Sequence, residues 1–84
     1  MEQTDKRITV VNVIIEDMRA TGAVNDLVHE YREYVIGRLG IPYGEKKVAV
    51  ICVVLDAPVA VVSALSGKLG MLAGVTAKTM TARV

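Results

Sequence analysis

The chain has 84 residues, a mass of 9.0 kDa and a formal net charge of +1, which allow one small domain and give no electrostatic reason to expect nucleic acid or an anionic membrane as a partner. Apolar residues make up 52% of the chain, and 15 of them are valine, which excludes the composition of a disordered protein. A single cysteine excludes a disulfide framework and a multi-cysteine zinc site.

The N-terminal part of the chain is predicted to form a strand followed by a helix. Residues 1–6 are polar and are expected to be a flexible N-terminus, whereas residues 7–15 are almost all β-branched, which favours a strand. Thr21 or Asp17 can cap the next helix. That helix is predicted over residues 23–35, because apolar side chains recur there at the i, i+3, i+4, i+7 spacing of one helical face.

The central part is predicted to form two strands and the start of a second helix. Residues 35–43 indicate an edge strand, since Pro42 cannot donate to a β-ladder. Residues 48–55 are all apolar, which is typical of a strand buried on both faces. Asp56 is then predicted as the N-cap of the second helix, with Pro58 in its first turn.

The second helix is predicted to end at Gly74, and a last, edge-like strand is predicted over residues 75–83. The order βαββαβ repeats a V-x-V-I motif, found at residues 11–14 and 37 residues later at 48–51. Such a duplication is typical of the ferredoxin-like α+β fold, a four-stranded antiparallel sheet with two helices on one face. We expect residues 1–84 to form one such domain, with the first and third strands central.

Both faces of the two central strands are apolar, although two helices can cover only one face of the sheet. A monomer in water rarely exposes an apolar patch of this size. We therefore expect a homo-oligomer, either a dimer or a tetramer. The expected interface consists of six side chains: Val11, Val13, Ile15, Val50, Cys52 and Val54.

The sequence contains no arrangement typical of catalysis, and no cofactor or metal is expected. His29 is the only histidine and is expected on the surface, while Cys52 is expected to pack as a small apolar side chain in its strand. The inner strands also lack the aromatic residues with which related folds stack RNA bases. We therefore predict a protein that is not an enzyme and does not contact nucleic acid directly.

The cytoplasm is the expected location. A lone cysteine fits a reducing compartment, and the polar start of the chain is not followed by a signal-peptide pattern. The apolar run of residues 48–65 is interrupted by Asp56 and Pro58, which favours strand, turn and helix over a membrane span.

Four short motifs carry a resemblance to a known family: A-L-S-G-K-L-G at residues 64–70, A-G-V at 73–75, K-T at 78–79 and R-L-G-I-P at 38–42. With them, roughly residues 7–83 resemble the iron-only hydrogenase system regulator family. The resemblance implies a ferredoxin-like domain similar to the ACT domain and to the C-terminal domain of the nickel-responsive repressor. It also implies a regulatory link to iron-only hydrogenase.

The resemblance leads to two hypotheses about function. The first is a regulatory or interaction module that responds to a small effector or a protein partner. The alternative is an ACT-like sensor, because ACT-like domains bind small ligands at subunit interfaces beside the loop after the first strand. The implied ligand-binding residues are Asp17, Thr21, Gly22, Ser66, Gly67, Lys68 and Gly70. From the spacing of Gly67 and Gly70 we also expect the second helix to approach a neighbour closely. The nickel site of the repressor requires several histidines, and this chain has one.

Overall fold

The computed structural model describes residues 5–84 and shows a four-stranded antiparallel sheet with two α-helices on one face. The strands are β1 (Lys6–Ile15), β2 (Val35–Tyr43), β3 (Val48–Pro58) and β4 (Val75–Thr81), and the helices are α1 (Thr21–Glu30) and α2 (Val59–Gly70). The strand order β2-β3-β1-β4 confirms the predicted ferredoxin-like fold and the central position of the first and third strands. Of the predicted flexible segment, Lys6 belongs to β1, and residues 1–4 lie outside the described residues.

The core lies between the sheet and the helices and follows from the period-2 alternation of the central strands. Alternate residues of β1 and β3 face the helices, and each fully buried aliphatic side chain stabilises the fold by about 1.5–3 kcal/mol relative to an exposed one. The core side chains with no exposed surface are Val11, Val13, Ile15, Val24, Val53, Leu55, Ala57, Leu65 and Leu69.

Helix α1 is shorter than the predicted range of residues 23–35. A 3-10 turn at Met18–Ala20 leads into it, and a second turn at Arg32–Tyr34 leads into β2. Asp17 caps the first turn by accepting a hydrogen bond from the Arg19 N–H at 3.0 Å, so it does not cap α1 itself. The predicted cap Thr21 is the first helical residue, after Ala20 at the N-cap position.

The prediction that Asp56 caps α2 is wrong. Asp56 and Pro58 both belong to β3, where they pair with Ile8 and Lys6 of β1. Pro58 is the residue before the helix, with an extended backbone at φ −62° and ψ 149°. Proline at the last position of a strand fits, because its fixed φ is compatible with extended backbone and the ladder ends there.

The predicted end of α2 at Gly74 is also wrong, since the helix ends at Gly70 with Met71 as its C-cap. Gly74 instead lies in the turn before β4 and has a φ of +75°. The last strand ends at Thr81 rather than residue 83. Pairing with β1 continues past it, because the Ala82 N–H donates to the Ile8 carbonyl at 2.9 Å.

Candidate oligomer interface and ligand-binding residues

The sheet face opposite the helices is largely apolar and is not covered by any element of residues 5–84, and we call it the open face. The strand register brings side chains from all four strands together on it. Its exposed members include Leu39 at 60%, Ile14 at 44%, Val50 at 36% and Met80 at 68% of their full accessible surface. The apolar side chains of the open face are Ile8, Val10, Ile14, Leu39, Ile41, Tyr43, Val48, Val50, Cys52, Val54 and Met80.

Polar groups on the open face are few. Asn12 pairs with Cys52 on one side and with Lys78 on the other, which places a polar row across β1 and β4. Asp56 lies at the end of β3. The charged residues of this face therefore lie towards its margin, and Asn12 interrupts a surface on β1 and β3 that is otherwise mostly aliphatic.

Half of the predicted interface residues lie on the wrong face. Val11, Val13 and Ile15 have no exposed surface, because they pack beneath the helices. Val50, Cys52 and Val54 do lie on the open face, where they pair with Ile14, Asn12 and Val10. Adjacent residues of a strand point to opposite faces, so the β1 contribution to this face comes from the even-numbered residues.

The V-x-V-I repeat does not correspond to equivalent positions in the sheet. Val11 and Val13 face the core, whereas their counterparts Val48 and Val50 face away from it. A shift of one residue in a strand exchanges its two faces. The repeat predicted two similar βαβ halves, but it does not indicate which side chains share a face.

The loop after β1 is anchored on the turn before β4. The Glu16 and Asp17 N–H groups both donate to the Gly74 carbonyl, at 2.7 and 3.4 Å. Asp17 and Arg19 form a bidentate ion pair, with Nε to Oδ1 at 3.0 Å and Nη2 to Oδ2 at 2.9 Å. The hydrogen bonds from the Arg19 side chain and then from its backbone N–H lower the pKa of Asp17. The Asp17 carboxylate is therefore charged, and both of its oxygens already accept hydrogen bonds from Arg19.

A shallow groove of about 440 Å³ lies beside this loop. Its lining residues are Asp17, Arg19, Ala20, Ala23, Leu72 and Ala73. Of the predicted ligand-binding residues, only Asp17 lines it. Thr21 has a buried hydroxyl with no hydrogen-bond partner among the described residues, and Gly22 is exposed.

The predicted ligand-binding residues of α2 lie elsewhere and line neither this groove nor the one described next. Ser66 is half-buried, while Gly67 and Gly70 are exposed. A Cβ added at either glycine would meet no atom within 4 Å, so no element of the described chain approaches α2 closely there. Lys68 lies 3.6 Å from a Glu30 carboxylate oxygen and 5.2 Å from the centre of the Tyr31 ring. A side-chain hydrogen bond to Tyr31 is the largest cause that raises the pKa of Lys68, and the negative charge of Glu30 adds to it. Lys68 therefore joins the two helices.

A second groove, of about 490 Å³, lies between α1 and β2 on the helix side of the sheet. Its polar lining comes from Asn25, Asp26, His29, Arg32 and Arg38. We call it the arginine groove. It was not predicted from the sequence, although Arg38 is the only charged residue of β2 and its register position opposite the buried Val53 puts it on the helix side.

His29 is exposed on α1, as predicted, and Cys52 is half-buried on the open face. The two residues lie on opposite sides of the sheet. Within residues 5–84, no group of three or more His, Cys, Asp or Glu side chains is arranged to hold a metal ion. Across the same part of the chain, no helix has the length and apolar character needed to cross a membrane.

Comparison with solved structures finds a similar protein at a level of identity that shows a family relationship. Uncharacterized protein TM1266 from Thermotoga maritima superposes with a TM-score of 0.88 at 34% identity, and the match covers 93% of this chain and 99% of that chain. No curated protein sequence is significantly similar to this chain.

Two other structures share the fold at lower identity. The C-terminal domain of the MgtC protein from Mycobacterium tuberculosis has a TM-score of 0.68 at 17% identity, covering 98% of this chain and 94% of that chain. A formyltetrahydrofolate deformylase from Pseudomonas putida KT2440 has a TM-score of 0.64 at 15% identity, covering 87% of this chain and 28% of that chain. These likenesses concern the fold alone.

The family comparison agrees with the structural one. Residues 7–79 match the TM1266-like family, described as "Iron-only hydrogenase system regulator, putative". The chain therefore belongs to the TM1266-like iron-only hydrogenase system regulator family.

Proposed function

We propose that this protein is a non-enzymatic regulatory module of the iron-only hydrogenase system and that it acts as a homo-oligomer. The observation that supports the oligomer is the apolar open face. Exposed aliphatic side chains such as Ile14, Leu39 and Ile41 form a continuous patch there. An apolar patch of this kind is typical of an interaction surface.

The open face has dimensions that suit a second copy of the chain. Four strands spaced about 4.8 Å apart, with about nine residues rising about 3.3 Å each, give a face of on the order of 600 Å². A stable interface of standard size buries about 800 Å² per partner. Sheet-to-sheet packing of two open faces therefore comes close to what a dimer needs.

The distribution of charge also favours a second copy of the chain as the partner of the open face. Along β1 and β3 the open face is mostly apolar, interrupted by Asn12, and the charged residues Lys78 and Asp56 lie towards its margin. An apolar centre with a polar rim is the usual anatomy of an interface between subunits. A twofold axis near the paired residues Ile14 and Val50 would bury these side chains of both copies together.

The oligomer can be tested with one substitution on each side of the sheet. Ile14→Lys puts a charge among the apolar side chains of central strand β1 on the open face, whereas Met71→Lys changes an apolar side chain that is 87% exposed on the helix side. By light scattering at about 50 μM protein, well above the dissociation constants of most stable dimers, we expect the wild type and Met71→Lys to be dimers or tetramers and Ile14→Lys to be a folded monomer. A monomeric wild type, or equal effects of the two substitutions, would contradict the proposal.

The regulatory role requires a separate experiment. In a host that carries both this gene and an iron-only hydrogenase, we expect deletion of the gene to change hydrogenase activity at least twofold. Wild-type protein should restore the original activity, and the Ile14→Lys variant should not. Unchanged hydrogenase activity and transcript level in the deletion strain would refute the link to hydrogenase while leaving the oligomer standing.

A second candidate function is an ACT-like sensor with a small ligand at a subunit boundary beside the loop after β1. The groove next to Asp17 and Leu72 supports this candidate, because it lies beside the loop after β1. A thermal-shift screen of amino acids, nucleotides and divalent metal ions tests it, because a ligand that binds the native state raises the melting temperature. We expect Ala23→Trp, which fills this groove, to abolish any stabilisation found. A ligand that stabilises the wild type and Ala23→Trp equally would argue against this site.

The cytoplasm is the proposed location. Cys52 is a free thiol, partly exposed on the open face, and such a thiol persists in a reducing compartment. Fractionation of cells that express the protein at its natural level should recover it with cytoplasmic markers, and recovery with the cell envelope or the medium would overturn this assignment.

A further inference from the structure

The arginine groove contains two guanidinium groups that have no carboxylate partner within residues 5–84. Among residues 5–84, the ion pairs within 4.0 Å are Arg19–Asp17 and Lys68–Glu30, and neither involves Arg32 or Arg38. Both free arginines line the groove between α1 and β2. A surface arginine without a partner is ordinary, but two that face one groove concentrate positive charge there.

Both arginines are held in place by neutral groups. Nη2 of Arg38 donates to Oδ1 of Asn25 at 2.9 Å, which ties β2 to α1. Nη1 of Arg32 donates to the His29 carbonyl at 3.0 Å, at the end of α1. These hydrogen bonds orient the side chains without neutralising them, so less conformational freedom is lost when an anion binds.

The remaining donors match an oxyanion. Each guanidinium has five N–H donors, and one of them is used by Asn25 or by the His29 carbonyl. The planar fork of the others suits bidentate contact with phosphate or carboxylate oxygens. The exposed His29 also lines this groove, where its ring can supply a further N–H donor.

The size and charge of the groove favour an organic phosphate over a bare ion. A volume of about 490 Å³ falls within the range of small-molecule sites, and Val28 and Val35 supply apolar lining. The arginines carry two positive charges against the one negative charge of Asp26. A phosphate monoester, with a charge of about −1.5 to −2 at pH 7, complements that balance better than a monocarboxylate does.

We propose that the arginine groove binds a small organic molecule through its phosphate monoester group. Arg32 and Arg38 contact the phosphate, Asn25 positions Arg38, and the groove beside Val28 and Val35 receives the organic part. This site lies on the helix side of the sheet, so it goes beyond the proposed oligomer and does not depend on it.

The first test is an NMR titration of the full-length protein with methyl phosphate and with adenosine 5′-monophosphate at constant ionic strength. We expect saturable shifts of backbone amides of residues 25–38, and tighter binding of the larger phosphate. Shifts that do not saturate, or that spread equally to the lysines of the β2–β3 turn, would show non-specific attraction and overturn the proposal. The dicarboxylate succinate is the third probe, and binding as tight as that of methyl phosphate would also overturn it.

Matched variants separate the site from general charge effects. Arg38→Gln and Arg32→Gln should each weaken adenosine monophosphate binding at least tenfold. Arg83→Gln removes the same charge near the end of the chain, beside the opposite edge strand, and should change binding less than twofold. An equal loss in all three variants would refute the site.

Two further variants sharpen the assignment. Asp26→Asn removes the only carboxylate among the lining residues of the groove and should tighten phosphate binding threefold or more. Ile14→Lys, designed to disrupt the oligomer, should keep phosphate binding within twofold of the wild type. A failure of the oligomer proposal can therefore be told apart from a failure of the phosphate-site proposal. Weaker phosphate binding by Asp26→Asn than by the wild type would contradict the phosphate site.

Discussion

At the scale of single residues, the contact between Gly74 and Asp17 has the strictest steric requirement in the described chain. Gly74 has a φ of +75°, and a Cβ at this position would collide with the Cβ of Asp17 and lie 2.9 Å from its backbone nitrogen. The Gly74 carbonyl also accepts hydrogen bonds from Glu16 and Asp17. Glycine is therefore needed both for the backbone conformation and for the close approach of two chain segments.

We expect Gly74→Ala to lower the free energy of unfolding by about 2–4 kcal/mol, since the left-handed backbone alone costs about 1–2 kcal/mol and the collision adds to it. Gly67→Ala is the matched control, because Gly67 lies inside α2 with open space around it. That substitution should raise the free energy of unfolding by about 0.5–1 kcal/mol. Urea denaturation measures both, and equal effects of the two substitutions would contradict the steric explanation.

The Asp17–Arg19 pair gives a prediction about pH. The pKa of Asp17 is lowered in the folded protein, so its contribution to stability is present above the unfolded pKa of about 3.9 and is lost as pH falls through the lower folded value. Arg19→Gln should raise the pKa of Asp17 in a carboxyl ¹³C NMR titration, and Arg83→Gln should leave it unchanged. No rise in Arg19→Gln would show that the backbone N–H alone sets the pKa of Asp17.

At the scale of secondary-structure elements, composition and periodicity predicted the existence and order of every strand and helix, but not all of their ends. The edge position of β2 beside β3 follows from local patterns, namely the proline of β2 and the apolar run of β3. The N-terminus of α2 was misplaced because Asp56 and Pro58 are common in a helix start and equally compatible with the last residues of a strand. Pairing with β1, which lies more than 40 residues earlier, decides between them.

The faces of β1 give a prediction that uses two adjacent, chemically identical residues. Ile15 has no exposed surface, whereas Ile14 is 44% exposed on the open face. Ile15→Ala should lower the free energy of unfolding by about 2–5 kcal/mol because it leaves a cavity in the core. Ile14→Ala should cost the isolated chain less than about 1 kcal/mol, because much of its surface is already in water. Thermal and urea unfolding at low protein concentration measure the loss of stability in both variants. A larger loss in Ile14→Ala than in Ile15→Ala would mean that the register of β1 is wrong.

At the scale of the whole molecule, the domain is elongated, measuring 47 × 19 × 18 Å, and its helices leave one face of the sheet uncovered. Every residue of β2 after Val35 is exposed. A chain of this size buries little more than about 60% of its unfolded surface, so its stability as a monomer should be modest. Association through the open face would add stability from outside the chain.

That reasoning gives a prediction about concentration. If native chains associate and unfolded chains do not, a rise of about a hundredfold in protein concentration should stabilise the native dimer by about 2.7 kcal/mol. We expect the urea midpoint of the wild type to increase over that range of protein concentration and that of Ile14→Lys to stay constant. A wild-type midpoint that does not depend on concentration would contradict the oligomer.

The sequence by itself determined the class of fold, the order of the elements and the central position of the two most apolar strands, because these depend on local composition and on period. Only the tertiary structure decided which face of β1 meets the helices, since both phases of residues 10–15 are apolar except for Asn12, whose position is the one local signal of the open face. The tertiary structure also creates the arginine groove, because Arg32 and Arg38 come together only when β2 packs beside α1. The family resemblance grouped the loop after β1 with residues of α2, and within this chain Asp17 is the one of these residues that lines the groove beside that loop.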